Sequence, residues 1–331
     1  MITRHFLRAK ALQTLYSYYI SASDDAAKAE KRMFISINNV YYLEICFLSV
    51  IVELRDLEEE ELEKAKGKFL PTEEDLNPNL RFVNNALINQ LAQNDELNKA
   101  IKDLKVSFAE FDAVFKKILD DIKSSETYNN YMKSDDDSYK TAKNFIIKVY
   151  RRFILKDNRL KEMICEREME LESDYCYFEE FFLRFLKDYK ETDDNTKPLM
   201  HPMDKQSQDE QDDEEFVRSL FRNTIAMYDD YGAMIAKRVE NYDNNRVAFI
   251  DSILIKMAMV ELVFCPTIPV RATINEYVEL SKDFSTDKSH IFINGMLDRL
   301  MVDLRVKGLI VKSGRGLETL DGFDDDKTKM E

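Results

Sequence analysis

The sequence predicts an all-α protein, and three observations carry that prediction. Its 331 residues include only seven glycines and six prolines, too few for the turns of a sheet-rich or α/β chain. Apolar residues make up 44% of the chain, enough to bury a sizeable core. They recur at i and i+4 far more than in strict alternation. At roughly 150 residues per domain, the length suggests two domains, or one domain with a large insertion. The scarcity of glycine also removes any GxGxxG or GxxxxGK[ST] phosphate loop.

The elements follow in order. Residues 5–20 read as a helix with Leu7, Ala11, Leu12, Leu15 and Tyr19 on one stripe. At 100° per residue, Arg4 and Arg8 fall on that same stripe. Unpaired arginines are not buried, so the first turns are expected to overhang the body and present both arginines to solvent or a ligand. Residues 30–66 read as one or two helices, with residues 45–52 fully buried. Pro71 and Pro78 mark a loop. A long amphipathic segment follows, with Phe108, Phe111, Phe115, Ile118, Leu119 and Ile122 at helical spacing. Residues 134–138 form an acidic turn, and residues 139–189 give further aromatic-rich helices.

Residues 191–214 are polar, acidic and hold Pro198 and Pro202, so they read as a linker. Beyond it, Phe216, Leu220, Ile225, Tyr228 and Ile235 define one long helix, and residues 250–260 another. Thr273 with Glu276 fits a capping box, although Pro269 equally marks a helix start one turn earlier. Two more helices follow, at 274–284 and 290–301. From residue 313 the chain is polar and is expected to be a disordered tail.

Charge totals −15, yet it is unevenly spread. Residues 1–23 hold Arg4, Arg8 and Lys10 and no acid, and residues 304–317 hold four cations and no acid. Beyond a Debye length of about 8 Å the net repulsion is screened, so a local basic patch can bind nucleic acid, although charge alone favours ordinary solvated surface. The four cysteines are scattered with no CxxC, which fits reduced thiols of a cytoplasmic protein. The longest apolar run, residues 45–52, falls short of the ~20 residues a membrane span needs. His5, His201 and His290 are the only histidines and form no metal or nucleophile motif. No cofactor, metal site or catalytic residue is expected, and the chain does not read as an enzyme.

Two segments resemble the NusB family of transcription antitermination factors. Residues 8–17, RAKALQTLYS, resemble the family's first helix. Residues 273–300, TINEYVELSKDFSTDKSHIFINGMLDRL, are similar to its INEAVELAK…F…S..FVNGVLD block. Between them, residues 216–261 resemble the family's long middle helix and the next one, which ends in a Glu-Leu pair, here Glu261 and Leu262. The resemblance implies a NusB-like helical bundle with an additional helical insertion. It assigns residues 1–20 to the first helix, 21–190 to the insertion (with the family's second helix within 30–60), 191–214 to an acidic linker and 215–312 to the rest of the NusB-like domain, leaving 313–331 as the tail.

The resemblance further implies an RNA-binding factor. Its partners would be the ribosomal protein NusE, boxA-like RNA of ribosomal RNA leaders and the RNA polymerase antitermination complex, with no membrane. Carried over by position, RNA contacts fall on Arg4, His5 and Arg8, with Lys10 an extra cation on the helix's other face. Tyr16 offers a ring to stack a base or a packed core edge. Lys288, Ser289 and Phe292 match a second RNA-proximal strip, and Phe292 also suits the core. Asp251 and Glu276 match acidic positions toward the protein partner, while Asn275, Asn294 and Gly295 suit caps and close helix approach. A different class remains open: a helical protein–protein interaction scaffold without RNA binding.

Overall fold

The computed structural model describes residues 3–22, 24–166, 170–200, 208–239 and 247–317. Among these there are fifteen α-helices and no strand. In chain order they are α1 (Arg4–Ile20), α2 (Ala26–Lys66), α3 (Glu73–Leu76), α4 (Ala86–Ala92), α5 (Asp95–Asp103), α6 (Asp112–Lys123), α7 (Glu126–Met132), α8 (Tyr139–Val149), α9 (Asn158–Cys165), α10 (Glu170–Asp188), α11 (Gln208–Ala226), α12 (Tyr228–Val239), α13 (Phe249–Phe264), α14 (Val270–Phe284) and α15 (Ser289–Val306). A π turn (Tyr150–Ile154) follows α8, and a short 3-10 turn (Gly314–Leu317) follows α15.

The helices fall into two compact units. One is built from residues 38–202, the other from residues 2–37 with residues 203–331. In the second, α13 is the central element, packing on α11, α14, α15, α1 and α12. Its sequence explains this, because Ile253, Leu254, Met257, Ala258 and Leu262 are all 0% exposed, and a helix whose apolar residues run round most of its circumference belongs in a core. Glu30 in the first turns of α2 accepts from Arg218 and Arg222 of α11 and so ties that segment to the same unit.

The other unit is organised by the rest of α2. This 41-residue helix contains an 18-residue window of mean hydropathy 1.6, apolar enough by composition to cross a membrane, but 67% of that window is buried inside the protein. It is therefore a core helix, one whose length the contiguous apolar run alone did not reveal. No glycine or proline interrupts it. Val52 is half-buried, whereas residues 45–51 are buried. Phe47 sits against Tyr175, Phe178 and Phe182, with ring centroids 5.3 to 6.1 Å apart.

Several sequence expectations change here. The Phe108 to Ile122 stripe is not one helix: Phe108 lies in a loop, and Phe111 precedes the start of α6. The helix read from Phe216 to Ile235 breaks at Met227 into α11 and α12. Helix α14 starts after Pro269, not at a Thr273 cap. Residues 190–200 are strapped down: the Gln90 side chain donates to the carbonyls of Lys190 and Asp193, and that of Asn94 to Lys197. Residues 201–207 and the tail beyond 317 lie outside the described residues. Lys312 is buried and donates to the Cys265 carbonyl at 3.0 Å, and the Ser313 amide donates to that of Pro266. Gly316 has to be glycine, since a Cβ there would lie 2.1 Å from the Pro266 oxygen. Gly295, by contrast, has open space around it, so close helix approach is not its role.

The strap ends on a buried acid. Glu44 is 0% exposed, and both its oxygens accept from the Met200 amide at 3.0 Å. Burial pushes its pKa well above the ordinary carboxylate value, despite that hydrogen bond. A raised folded-state pKa contributes stability below the unfolded value that is lost as pH rises through the folded one. Glu44→Gln keeps an acceptor without the charge. It is expected to flatten the fall in stability above pH ~5 and to leave the variant more stable than the parent at neutral pH. Urea melts across that range check this; an unchanged pH profile would contradict it.

Candidate nucleic-acid interface

The amino-terminal helix carries the predicted cations into the centre of the second unit. Thr3 caps α1 through a hydrogen bond from the Phe6 amide. One turn later, Arg8 is 3% exposed. Its Nε and Nη2 donate to the two oxygens of Glu261 at 2.7 and 2.8 Å, and Nη1 donates to Glu276 at 3.1 Å. Glu261, itself 0% exposed, also accepts from Thr273 Oγ1 and Tyr277 OH. Burial pulls the Arg8 guanidinium down, but the carboxylates and Tyr277 outweigh it and raise its pKa.

This corrects the expectation that Arg8 faces a ligand. The physical premise holds, since an unpaired arginine is not buried, but Arg8 has a partner 253 residues away. Arg4 is also paired, its Nε donating to Asp213 at 2.8 Å, yet its side chain is 35% exposed. Both guanidinium groups lie over the Phe216 ring, at 5.0 and 5.1 Å from its centroid.

Lys10 is corrected too: it is 1% exposed, and its Nζ donates to Ser36 Oγ at 2.6 Å. His5 is half-buried between Glu276, 3.0 Å from Nδ1, and Asp283, 3.5 Å from Nε2. Tyr16 is 40% exposed, with Phe249 at 5.7 Å, so two adjoining rings are accessible there.

The second predicted strip begins one turn past Asp283, whose contact with His5 places the start of α1 beside the end of α14. Ser289 is buried and donates to Asp251 at 2.9 Å, and Ser285 donates to the same carboxylate at 2.5 Å. Asp251, 4% exposed, is thus the staple of the turn between α14 and α15 and not an open partner contact. Lys288 is exposed at the start of α15, and Phe292 is half-buried. Asn275 and Asn294 are exposed, and Glu276 is half-buried.

Sequence reasoning read Glu261 only as half of a family doublet. One signal pointed further: between Ser252 and Phe264 it is the single carboxylate, in a stretch whose one other charge is Lys256, and a buried acid is either held neutral or matched by a cation. Among the described residues no cluster of His, Cys, Asp or Glu could hold a metal. Cys46, Cys165 and Cys265 are buried; the Cys176 side chain lies outside the described ones.

Comparison with known proteins decides the family. The sequence profile of the NusB family matches residues 180–302. A protein of Salinibacter ruber called transcription antitermination protein NusB is 32% identical over 133 residues, which are 40% of this chain and 83% of that protein. The chain belongs to the NusB family. Proteins of the same name from Chloroherpeton thalassium and Bacillus subtilis are 38% and 31% identical over 106 and 96 residues. Those stretches are 32% and 29% of this chain. The chain spans half the length of the Chloroherpeton protein and 73% of the Bacillus one. No solved structure matches it. Most of the first unit lies outside the stretch matched by the NusB profile.

Within this NusB-family unit, His5 offers a titration. Its hydrogen bond with Glu276 raises its pKa above 6.5, with Asp283 adding to this and burial opposing it. The stabilising pair is therefore complete below the unfolded value and is lost as pH rises through the folded one. We expect an NMR titration of His5 to end above that of a model histidine, and stability to fall from pH ~6 to 8 by less in His5→Gln than in the parent. A midpoint for His5 below the model value would contradict this.

Proposed function

We propose that this NusB-family chain is an RNA-binding transcription antitermination factor of the cytoplasm. It works with the ribosomal protein NusE on boxA-like RNA in ribosomal RNA transcription, within the RNA polymerase antitermination complex. The supporting observation is its similarity, over most of their length, to proteins named transcription antitermination protein NusB. Within the unit, the reading assigns RNA contact to Arg4, His5 and Lys288, with Tyr16 and Phe249 as an accessible aromatic pair. Arg8, Lys10 and Ser289 act indirectly, by fixing α1 and the turn before α15. Glu276 serves NusE only through its exposed edge, and Asp251 through the turn it holds.

A second reading, the protein–protein scaffold, is favoured by one observation: both amino-terminal arginines are already matched to carboxylates. Fluorescence anisotropy of labelled boxA-like and scrambled RNA, with and without NusE, separates the two. In the first reading, Arg4→Ala with Lys288→Ala weakens binding and lowers the salt slope by about 0.7 per lost phosphate contact. If the parent with NusE shows no preference for boxA-like RNA, the scaffold reading stands instead.

A further inference from the structure

The basic run of largest net charge lies outside the NusB-family unit. Residues 139–161 hold eight cations and a single acid, Asp157, in a protein of net charge −15. They form α8, the π turn and the start of α9. Lys140, Asn144 and Lys148 recur every four residues and so share one face of α8. The π turn, closed by the Leu155 amide donating to the Tyr150 carbonyl at 2.9 Å, inserts an extra residue per turn. Arg152 continues the four-residue spacing and lines the same groove as Lys148.

That groove lies between α7 and α8 and has a volume of about 420 Å³, within the range of small-ligand sites. Thr127 and Asn130 line it from α7, and Thr141, Asn144 and Lys148 from α8. Its floor is the Tyr131–Phe145 pair, stacked at 3.9 Å and 6°. The Arg81 guanidinium also lies over the Tyr131 ring, 4.9 Å from its centroid, so the ring is covered and not open for stacking. The groove's walls therefore recognise by hydrogen bonds and charge.

Lys140, Lys148, Arg151, Arg152 and Lys156 are exposed and pair with no described carboxylate. Arg152 donates only to Thr127 Oγ1, at 2.8 Å. The other cations are occupied: Lys143 by the Lys187 and Tyr189 carbonyls, Arg159 by Asp157, and Lys161 over the Tyr175 ring. One acid, Glu126, lines the groove; Asp136 accepts from the lining hydroxyl of Thr141 at 2.5 Å, and Asp137 is paired to Arg81. Lys148 lies seven residues, ~10 Å, along α8 from Thr141, so salt weakens the field of those acids at the Lys148 end of the groove.

We propose that the α7–α8 groove binds single-stranded RNA, with Lys148 and Arg152 on phosphate and Asn130 and Asn144 on a base edge. Cations alone suit any polyanion. The Asn130 and Asn144 amides between them match the donor and acceptor edges of an unpaired base, which a duplex hides. This surface is separate from the one assigned to boxA-like RNA, and it stands or falls independently.

The test uses the full chain with short labelled oligoadenylate and oligouridylate, anisotropy over a salt series, and ultraviolet crosslinking mapped by mass spectrometry. Lys148→Ala with Arg152→Ala should weaken binding about tenfold and lower the salt slope by about 1.4, two contacts at ~0.7 each. Both side chains are exposed, so the fold is retained; Lys148→Gln with Arg152→Gln repeats the test at similar volume. Asn144→Ala should narrow the difference between the two oligomers without changing the slope. Crosslinks should fall in residues 126–152, and persist when Arg4 and Lys288 are replaced. Unchanged affinity and slope in the double variants, or crosslinks confined to the NusB-family unit, would overturn the proposal. So would competition by polyaspartate, free adenosine monophosphate or duplex RNA as effective as that of the single strand.

Discussion

Arg8→Ala is expected to destabilise the NusB-family unit by about 3–5 kcal/mol, the range for removing one partner of a buried ion pair. The cost is not the loss of an attraction. It is the carboxylate left behind: Glu261 is 0% exposed, and among the described residues Thr273 and Tyr277 would remain as its donors. The other half of the cycle decides this. Arg8→Met with Glu261→Met removes both charges at similar volume, and such replacements are often neutral. The double variant should therefore recover most of the loss. Denaturant unfolding, with hydrogen exchange in α1, α13 and α14, reads both. A loss under about 1 kcal/mol in Arg8→Ala would show that the pair is not structural. The same experiment bears on RNA binding. If Arg8 anchors α1, the double variant keeps RNA affinity; if it touches phosphate, it does not.

Arg8 also shows where the sequence stops being readable. Its position on the apolar stripe of α1 was legible from spacing alone, and that stripe is buried as expected. Whether a cation on such a stripe overhangs or is matched depends on a partner 253 residues away, and local pattern carries no such information. Lys10 is the same case, with its partner Ser36 on the next helix. Boundaries failed for a different reason. Met227 interrupts α11 and α12 without glycine or proline, so no turn chemistry marks the break. The strap at 190–200 has linker composition, but Gln90 and Asn94 satisfy its carbonyls and hold it. The basic run at 139–161 was available to charge arithmetic, yet aromatic spacing reads the same residues only as core.

Phe47→Ala should cost about 3–5 kcal/mol, because the truncation leaves a cavity among Tyr175, Phe178 and Phe182 that a close-packed core refills only in part. Phe47 also connects that core to the cationic groove. The hydroxyl of Tyr150, the first residue of the π turn, donates to the Phe47 carbonyl at 2.8 Å, and the Tyr150 ring packs edge-on to Phe182 at 4.8 Å. The π turn is thus held from beneath by α2 and α10, and Arg152 is aimed from it. Loss of Phe47 should therefore loosen the π turn first. Amide exchange at Leu155 should rise more than at the buried residues of α4, and RNA affinity at the groove should fall under conditions where the chain is still folded. Tyr150→Phe isolates the second effect. It removes one buried hydrogen bond, worth about 1 kcal/mol, while keeping the ring, so it should disturb the groove with little loss of stability. Equal protection at Leu155 in Phe47→Ala and the parent would mean that the turn is set by its own hydrogen bonds and not by the core beneath it.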